Sequence, residues 1–153
     1  MRKRDALHPF DLATNKVLAL VGRLEVRDWV DVLTCHEELQ PLGYLAWAAA
    51  GKDPGLNPLM IVEEAARSSR YTQVDLDTLQ FQGRPPRAAD LAVRWRSILA
   101  QSRDVVRLLP EGQIGTCVFT PDGALFRGGI DDLQAALADR RLPFRAGSVR
   151  GAL

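Results

Sequence analysis

PFDLATNKVLALVGRLEVRDWVDVL, residues 9–33, carries two apolar helical patterns with a glycine between them. In the first, apolar side chains recur every three or four residues, as in a helix that faces a protein core. They are Phe10, Ala13, Val17, Leu20, Val21 and Leu24. We predict that this helix runs from about Asp11 to Gly22 and that a second runs from Val26 to Leu39. The predicted buried side of the second helix comprises Trp29, Val32, Leu33 and His36.

Charged side chains stand beside both apolar patterns. Lys16 lies at the margin of the first, where its ammonium can reach solvent or a cleft. Asp28 and Asp31 are three residues apart, so they are neighbours on one helix face. Phosphoryl-group chemistry needs cations against developing negative charge, and carboxylates that hold a metal or accept a proton. Lys16, Asp28 and Asp31 are therefore candidate site residues, with Arg23 and Arg27 beside them.

These residues resemble, in type and order, the motifs of the nucleotidyltransferase-like toxin family of the abortive-infection (AbiEii/AbiGii) type. In that family a helix with D-L-x-x-x-K precedes a helix that opens with R-D-x-x-D. The matching residues are Asp11, Leu12, Lys16, Arg27, Asp28 and Asp31. The resemblance covers the N-terminal third of the chain. It implies that Lys16 contacts a triphosphate, that Asp28 assists at the acceptor or metal, and that Arg27 and Asp31 orient neighbouring groups. Arg23 could also reach phosphate.

The resemblance also implies an element upstream of the lysine: a Gly-Ser pair at a strand-to-helix turn, followed by paired aspartates that hold metal. Residues 1–15 contain neither. We therefore expect a C-terminal helical part of such an enzyme, catalytically incomplete alone. The resemblance implies Mg²⁺ and a nucleoside triphosphate for a complete enzyme, and we expect neither to bind this chain tightly.

A later segment, SSRYTQVDLD at residues 68–77, imitates a serine followed by paired acids. It lacks glycine and comes after the lysine instead of before it. We interpret it as the start of a short helix, with Thr72 as N-cap and Asp75 completing a capping box.

Two predictions concern partners. Without an upstream α/β half, Phe10, Val17 and Val21 would remain partly uncovered, and exposed apolar patches usually mark interfaces. We therefore expect self-association or binding to a separately encoded N-terminal half. RNA is a second possible partner because one region is locally basic, although its Trp95 lies on an apolar seam. The arginines are Arg84, Arg87, Arg94, Arg96, Arg103 and Arg107.

The alternative is a noncatalytic helical interaction module in which Lys16 and Asp28 are relics. Lys and Asp on adjacent helices commonly form exposed ion pairs worth only ~0–1 kcal/mol. The acidic residues near the start of the second helix also favour its N-terminal dipole.

Composition places the chain among ordinary globular domains. Its 153 residues, 46% hydrophobic and 25% charged, can bury a core, and a net charge of +1 gives no global attraction to nucleic acid or anionic membranes. We expect no membrane partner, because the apolar stretch 42–50 is too short to span a bilayer. Cys35 and Cys117 are expected as reduced thiols in the cytoplasm. With His8 and His36 they form no metal-ligand pattern.

The predicted fold class is mainly α, a helical bundle with a small C-terminal β-hairpin, lacking the upstream α/β nucleotidyltransferase core. Further helices are expected at about 42–50, 58–69, 88–109 and 130–141, and the hairpin at 114–119 and 124–127. A Gly-Arg-Pro-Pro linker at 83–86 divides a helical region at 1–83 from a region at 84–144. These two regions are expected to form one domain, and 145–153 a frayed tail.

Overall fold

The computed structural model describes residues 3–68 and 70–146, which form seven α-helices and two short β-strands. The helices are α1 (Lys3–Arg23), α2 (Val26–Glu38), α3 (Leu42–Ala49), α4 (Pro58–Ala66), α5 (Gln73–Asp77), α6 (Ala88–Leu108) and α7 (Ile130–Ala138). The strands are β1 (Thr116–Val118) and β2 (Phe144–Ala146). Short 3-10 turns lie at Ala50–Lys52 and Glu111–Gln113. The mainly helical class with a small antiparallel strand pair is therefore confirmed.

Helix α1 begins earlier than predicted, since it contains Pro9 instead of following it. A proline inside a helix removes one backbone hydrogen bond but does not forbid helix on both sides. The residues before it, Lys3 to Leu7, are mostly strong helix formers. The predicted end at Gly22 is also displaced: the left-handed residue after the helix is Leu24, with φ 54°.

The core is built around α3, all of whose residues are buried. Helices α1, α4 and α6 pack against it. Trp95 of α6 lies edge-on to Trp29 of α2, with ring centroids 6.2 Å apart. The ring of Tyr71 also packs against Trp29, with ring centroids 5.0 Å apart. The predicted seam of α6 is confirmed by the burial of Leu91, Trp95, Ile98, Ser102, Val105 and Leu109.

The apolar stripe of α1 is covered within this chain. Phe10 and Val17 are buried, and Val21 is partly buried against the core. The prediction that these side chains remain uncovered is wrong for Phe10 and Val17, because α2, α3 and α4 all pack on α1. An uncovered apolar face on α1 therefore no longer supports self-association or an N-terminal partner. The partner itself stays a prediction.

The partner of β1 is not the predicted one. β1 pairs antiparallel with β2, with Cys117 opposite Arg145. Residues 124–127 contribute only an isolated bridge between Phe119 and Leu125. The amide of Thr120 donates to the carbonyl of Ala124, and the amide of Phe126 donates to the carbonyl of Val118, but this pairing is too short to form a strand. Residues 145 and 146, predicted as part of the frayed tail, are thus in a strand; 147–153 lie outside the described residues.

Cys35 and Cys117 are free thiols, and no disulfide joins them. Within residues 3–68 and 70–146, no helix combines the length and apolarity that a membrane crossing requires.

Candidate functional site

A sharp corner at Leu24 sets how α2 lies against α1. The amide of Leu24 still bonds to the carbonyl of Leu20, at 2.7 Å, and the left-handed backbone at Leu24 then turns the chain. Helix α2 begins two residues later, at Val26. This geometry returns α2 along α1 and brings the two halves of the sequence motif together.

Two ion pairs join the helices. Lys16 Nζ donates to Asp31 Oδ2 at 2.9 Å. Arg23 donates twice to Asp28, from Nη2 to Oδ1 at 2.7 Å and from Nε to Oδ2 at 3.2 Å. The second is a bidentate guanidinium–carboxylate pair, the stronger and more directional kind. Each cation of α1 therefore has a carboxylate of α2 as its partner.

The two pairs differ in exposure. The Asp28 side chain is only 5% exposed, whereas Arg23 above it is 60% exposed. Lys16 and Asp31 are both about one-third exposed. The hydrogen bonds to Asp28 also raise the pKa of Arg23, with the charge attraction between them as the next cause. Arg23 and Lys16 therefore face solvent, and Asp28 does not.

Lys16 and Asp28 belong to different pairs. Lys16 and Arg23 are seven residues apart on α1, a rise of about 10 Å along a helix. Lys16 pairs with Asp31, and Asp28 pairs with Arg23, so Lys16 and Asp28 do not contact each other as an ion pair. Trp29 and Leu20 are buried as predicted. Arg27 is exposed.

Lys52 binds two side chains of α1, a contact that the sequence did not predict. Its Nζ donates to Asp11 Oδ1 and to Asn15 Oδ1, each at 2.7 Å, and to the carbonyl of Asp11 at 3.1 Å. The aspartate of the D-L-x-x-x-K motif is therefore held by a lysine from the 3-10 turn after α3. Leu12, next to it, is 51% exposed. No signal in the sequence marks Lys52, whose side chain is 15% exposed, for this contact.

The carboxylates present do not fit a magnesium site. Mg²⁺ takes oxygen ligands in near-octahedral geometry and is usually held by one or two available carboxylates. Asp28 and Asp31 are each bonded to a cation, and Asp28 has almost no exposed surface. In the part of the chain that the structure describes, no three His, Cys, Asp or Glu side chains form a candidate metal cluster. We assign no metal step to these residues.

Comparison with protein-family models, curated proteins and solved structures gives no match for this chain. The candidate site therefore depends on the residues and their geometry.

The segment that imitates a serine–aspartate site is structural. Ser68 is buried, and its hydroxyl donates to the carbonyl of Ala65. Thr72 and Asp75 form a reciprocal capping box at the start of α5. The predicted N-cap and capping box are thus confirmed.

The basic region at residues 84–107, of which residues 88–107 lie on α6, does not form one uniform cationic face. Arg94 is ion-paired with Glu37 of α2, and Arg103 with Glu63 of α4. Trp95 is fully buried, as expected for a core residue. RNA binding by this region stays a prediction.

His36 has a structural role at the corner between α2 and α3. Its Nδ1 accepts a hydrogen bond from the amide of Leu42 at 2.9 Å. Arg127 donates to the carbonyls of Glu37 and Glu38 at the adjacent helix end. Burial, and then the positive charges of Arg127 and Arg94, lower the pKa of His36 to about 4. The imidazole is therefore neutral at pH 7.

This environment predicts a pH-dependent stability. The unfolded chain binds a proton at His36 near pH 6.5, but the folded chain binds it only near pH 4. Protonation therefore favours unfolding, so stability is fully present above pH 6.5 and is lost as the pH falls towards 4. Urea unfolding should be measured between pH 4.5 and 8 for the wild type and for His36→Asn, whose amide oxygen can accept the same bond. His8 is present in both proteins. Equal pH dependence of the two proteins would contradict this prediction.

Proposed function

We propose that this chain is the C-terminal helical part of a nucleotidyltransferase-like protein and is catalytically incomplete alone. The observation that supports the proposal is the register of α1 against α2. It aligns the cations Lys16 and Arg23 with the carboxylates Asp31 and Asp28, and these four residues come from the candidate set. The pairs lie along one junction between the two helices.

Lys16 is the residue best suited to contact a triphosphate. Its ion pair with Asp31 is partly exposed, and such pairs are worth only ~0–1 kcal/mol. A phosphate group carrying more negative charge can therefore take the ammonium from Asp31. Asp31 then serves to hold Lys16 in place before the ligand arrives.

In this proposal Asp28 positions Arg23, and Arg23 binds phosphate. The buried carboxylate of Asp28 fixes the guanidinium of Arg23, which is the exposed member of the pair. Arg23 is thus a second cation available to phosphate, and Asp28 is a positioning residue for it. Arg27 is free of this pairing and lies exposed on the first turn of α2.

A noncatalytic helical interaction module is the second candidate function. It is favoured by the burial of Asp28, which leaves that carboxylate little access to an acceptor. In this alternative the two ion pairs only attach α2 to α1.

Label transfer separates the two candidates. The purified chain with Mg²⁺ and each α-labelled nucleoside triphosphate is expected to transfer no label, because upstream metal-binding carboxylates are needed beneath the triphosphate. If the DNA upstream of Met1 encodes an in-frame Gly-Ser and paired-Asp segment, a longer chain that includes it should label itself or added RNA.

The control variants distinguish a site from a scaffold. Lys16→Ala should abolish the transfer by the longer chain, and Arg140→Ala, in an exposed turn after α7, should leave it unchanged. Robust transfer by the 153-residue chain itself would contradict its incompleteness. An upstream sequence without these residues, and no transfer by any form, would favour the interaction module.

A further inference from the structure

A groove of about 470 Å³ lies beside the α1–α2 corner. It is lined by Leu24, Glu63, Ala66, Arg67 and Arg70. Its volume is within the range of sites that hold small organic ligands. None of Lys16, Arg23, Asp28 or Asp31 lines it, although Leu24 directly follows Arg23.

The groove is positively charged. Its lining holds two arginines, Arg67 and Arg70, and one acid, Glu63, so the lining carries one positive charge in excess. Arg103 and Arg107 of α6 interact with Glu63 from outside the lining. Glu63 accepts two bonds from Arg103, and Glu64 accepts one from Arg67. Within the described ranges, neither Arg70 nor Arg107 is ion-paired.

The acid in the groove is held in its charged form. The hydrogen bonds from Arg103 lower the pKa of Glu63, and the charges of Arg103 and Arg107 act in the same direction. Glu63 is therefore paired with Arg103, and Arg70 in the lining is left to attract another anion.

The wall of the groove is fixed before any ligand binds. The hydroxyl of Tyr71 donates to the carbonyl of Leu24, and its ring contacts buried Trp29. Burial is the main cause that raises the pKa of Tyr71 to about 12, so this hydroxyl keeps its proton. Arg70, the residue before Tyr71, therefore extends from an anchored backbone, which reduces the entropic cost of binding.

We propose that this groove binds the phosphate group of a phosphorylated ligand of nucleotide size. Guanidinium groups bind phosphate oxygens by charge-assisted and often paired hydrogen bonds. Arg67 and Arg70 line the groove and donate to the phosphate, and Leu24 and Ala66 contact the less polar part of the ligand. Arg107 adds charge from α6.

A structural role for the same arginines makes a different prediction. Arg67 follows the C-terminus of α4, where a positive charge favours the helix dipole. If that were its only role, replacing it would change stability and leave no ligand affinity to lose.

The test is a titration of the full chain, followed by NMR of the arginine side-chain N–H signals, with AMP and with adenosine. AMP should saturably shift the signals of Arg67 and Arg70, and adenosine should not. The double variant Arg67→Gln/Arg70→Gln should weaken AMP binding by roughly ten- to a hundredfold, the loss of one or two charge-assisted hydrogen bonds. Arg84→Gln/Arg87→Gln is the matched control and should bind AMP as the wild type does.

One further arm completes the experiment. A short single-stranded RNA tests whether the phosphate comes from a polymer: tighter binding than AMP, lost in the same double variant, would identify the backbone as its source. Arg67 and Arg70 line the groove and Lys16 does not, so shifts of the Arg67 and Arg70 signals distinguish binding at this groove from binding at Lys16. Equal binding of adenosine and AMP, or AMP binding unaffected by the double variant in a protein with unchanged thermal unfolding, would overturn the proposal.

Discussion

Replacing Trp95 by alanine is expected to lower the free energy of unfolding by about 3–5 kcal/mol. Trp95 is fully buried on α6, and its ring meets Trp29 edge-on. Removing it deletes apolar contact between α6 and α2 and leaves a cavity that close-packed neighbours fill only in part. The expected loss is a large share of the ~5–15 kcal/mol that stabilises a typical domain.

Two variants of α6 control this measurement, which is urea unfolding followed by far-ultraviolet circular dichroism. Val93→Ala, at a 58% exposed position, should change stability by no more than about 0.5 kcal/mol. Trp95→Phe should fall between the two, because it retains an aromatic ring. Its indole N–H has no acceptor among the described residues, so no hydrogen bond is lost. A change of under 1 kcal/mol for Trp95→Ala would show that α6 does not depend on this side chain.

Trp95 also illustrates which parts of the fold were predictable. Its seam repeats every three or four residues over the length of α6, so the helix and its buried face follow from local spacing alone. Thr72 is an equally local signal, and it caps α5 as expected. Such features depend on residues close in sequence, for which the helix geometry is fixed.

The partner of β1 was not predictable in the same way. The turn at residues 120–123 correctly suggested that the chain reverses after β1, but the strand that pairs with it comes after α7. A three-residue strand such as β2 carries too few alternating positions to be recognised from sequence. The pairing of β2 with β1 depends on where the chain lies after α7, which residues close in sequence do not determine.

The candidate site shows the same division. The positions of Lys16 and of Asp28 and Asp31 on their helices follow from helical spacing, but the partner that each charge chooses depends on the corner between α1 and α2. That corner lies at Leu24, a non-glycine residue in the left-handed region, and not at Gly22. Because leucine is rare in this conformation, the sequence favoured the wrong residue. Lys52 was missed because it lies 41 residues after Asp11 in sequence, and their contact depends on how the helices between them pack.

Gly43 marks a close approach between α3 and α6 that a single methyl group should disturb. A Cβ added at Gly43 would lie 2.7 Å from Val105 Cβ and 3.2 Å from Ser102 Cα. Both neighbours belong to a packed helix, so in the wild-type background the contact is relieved by a shift between α3 and α6. Gly43→Ala should therefore destabilise the protein by about 1–3 kcal/mol through overpacking, although alanine is the better helix former.

Gly22→Ala is the matched control, because Gly22 is also helical but a Cβ there would meet nothing within 4 Å. It should be neutral or stabilise the protein by up to about 1 kcal/mol. Val105→Ala removes the Cγ1 atom that lies 2.8 Å from the added Cβ but keeps the Val105 Cβ at 2.7 Å. The double variant Gly43→Ala/Val105→Ala should therefore be only slightly less destabilised than the sum of the single changes. Denaturant unfolding of the wild type, Gly43→Ala, Val105→Ala and the double variant measures this coupling. If Gly43→Ala stabilised the chain as much as Gly22→Ala, α3 and α6 would have to lie further apart than this packing requires.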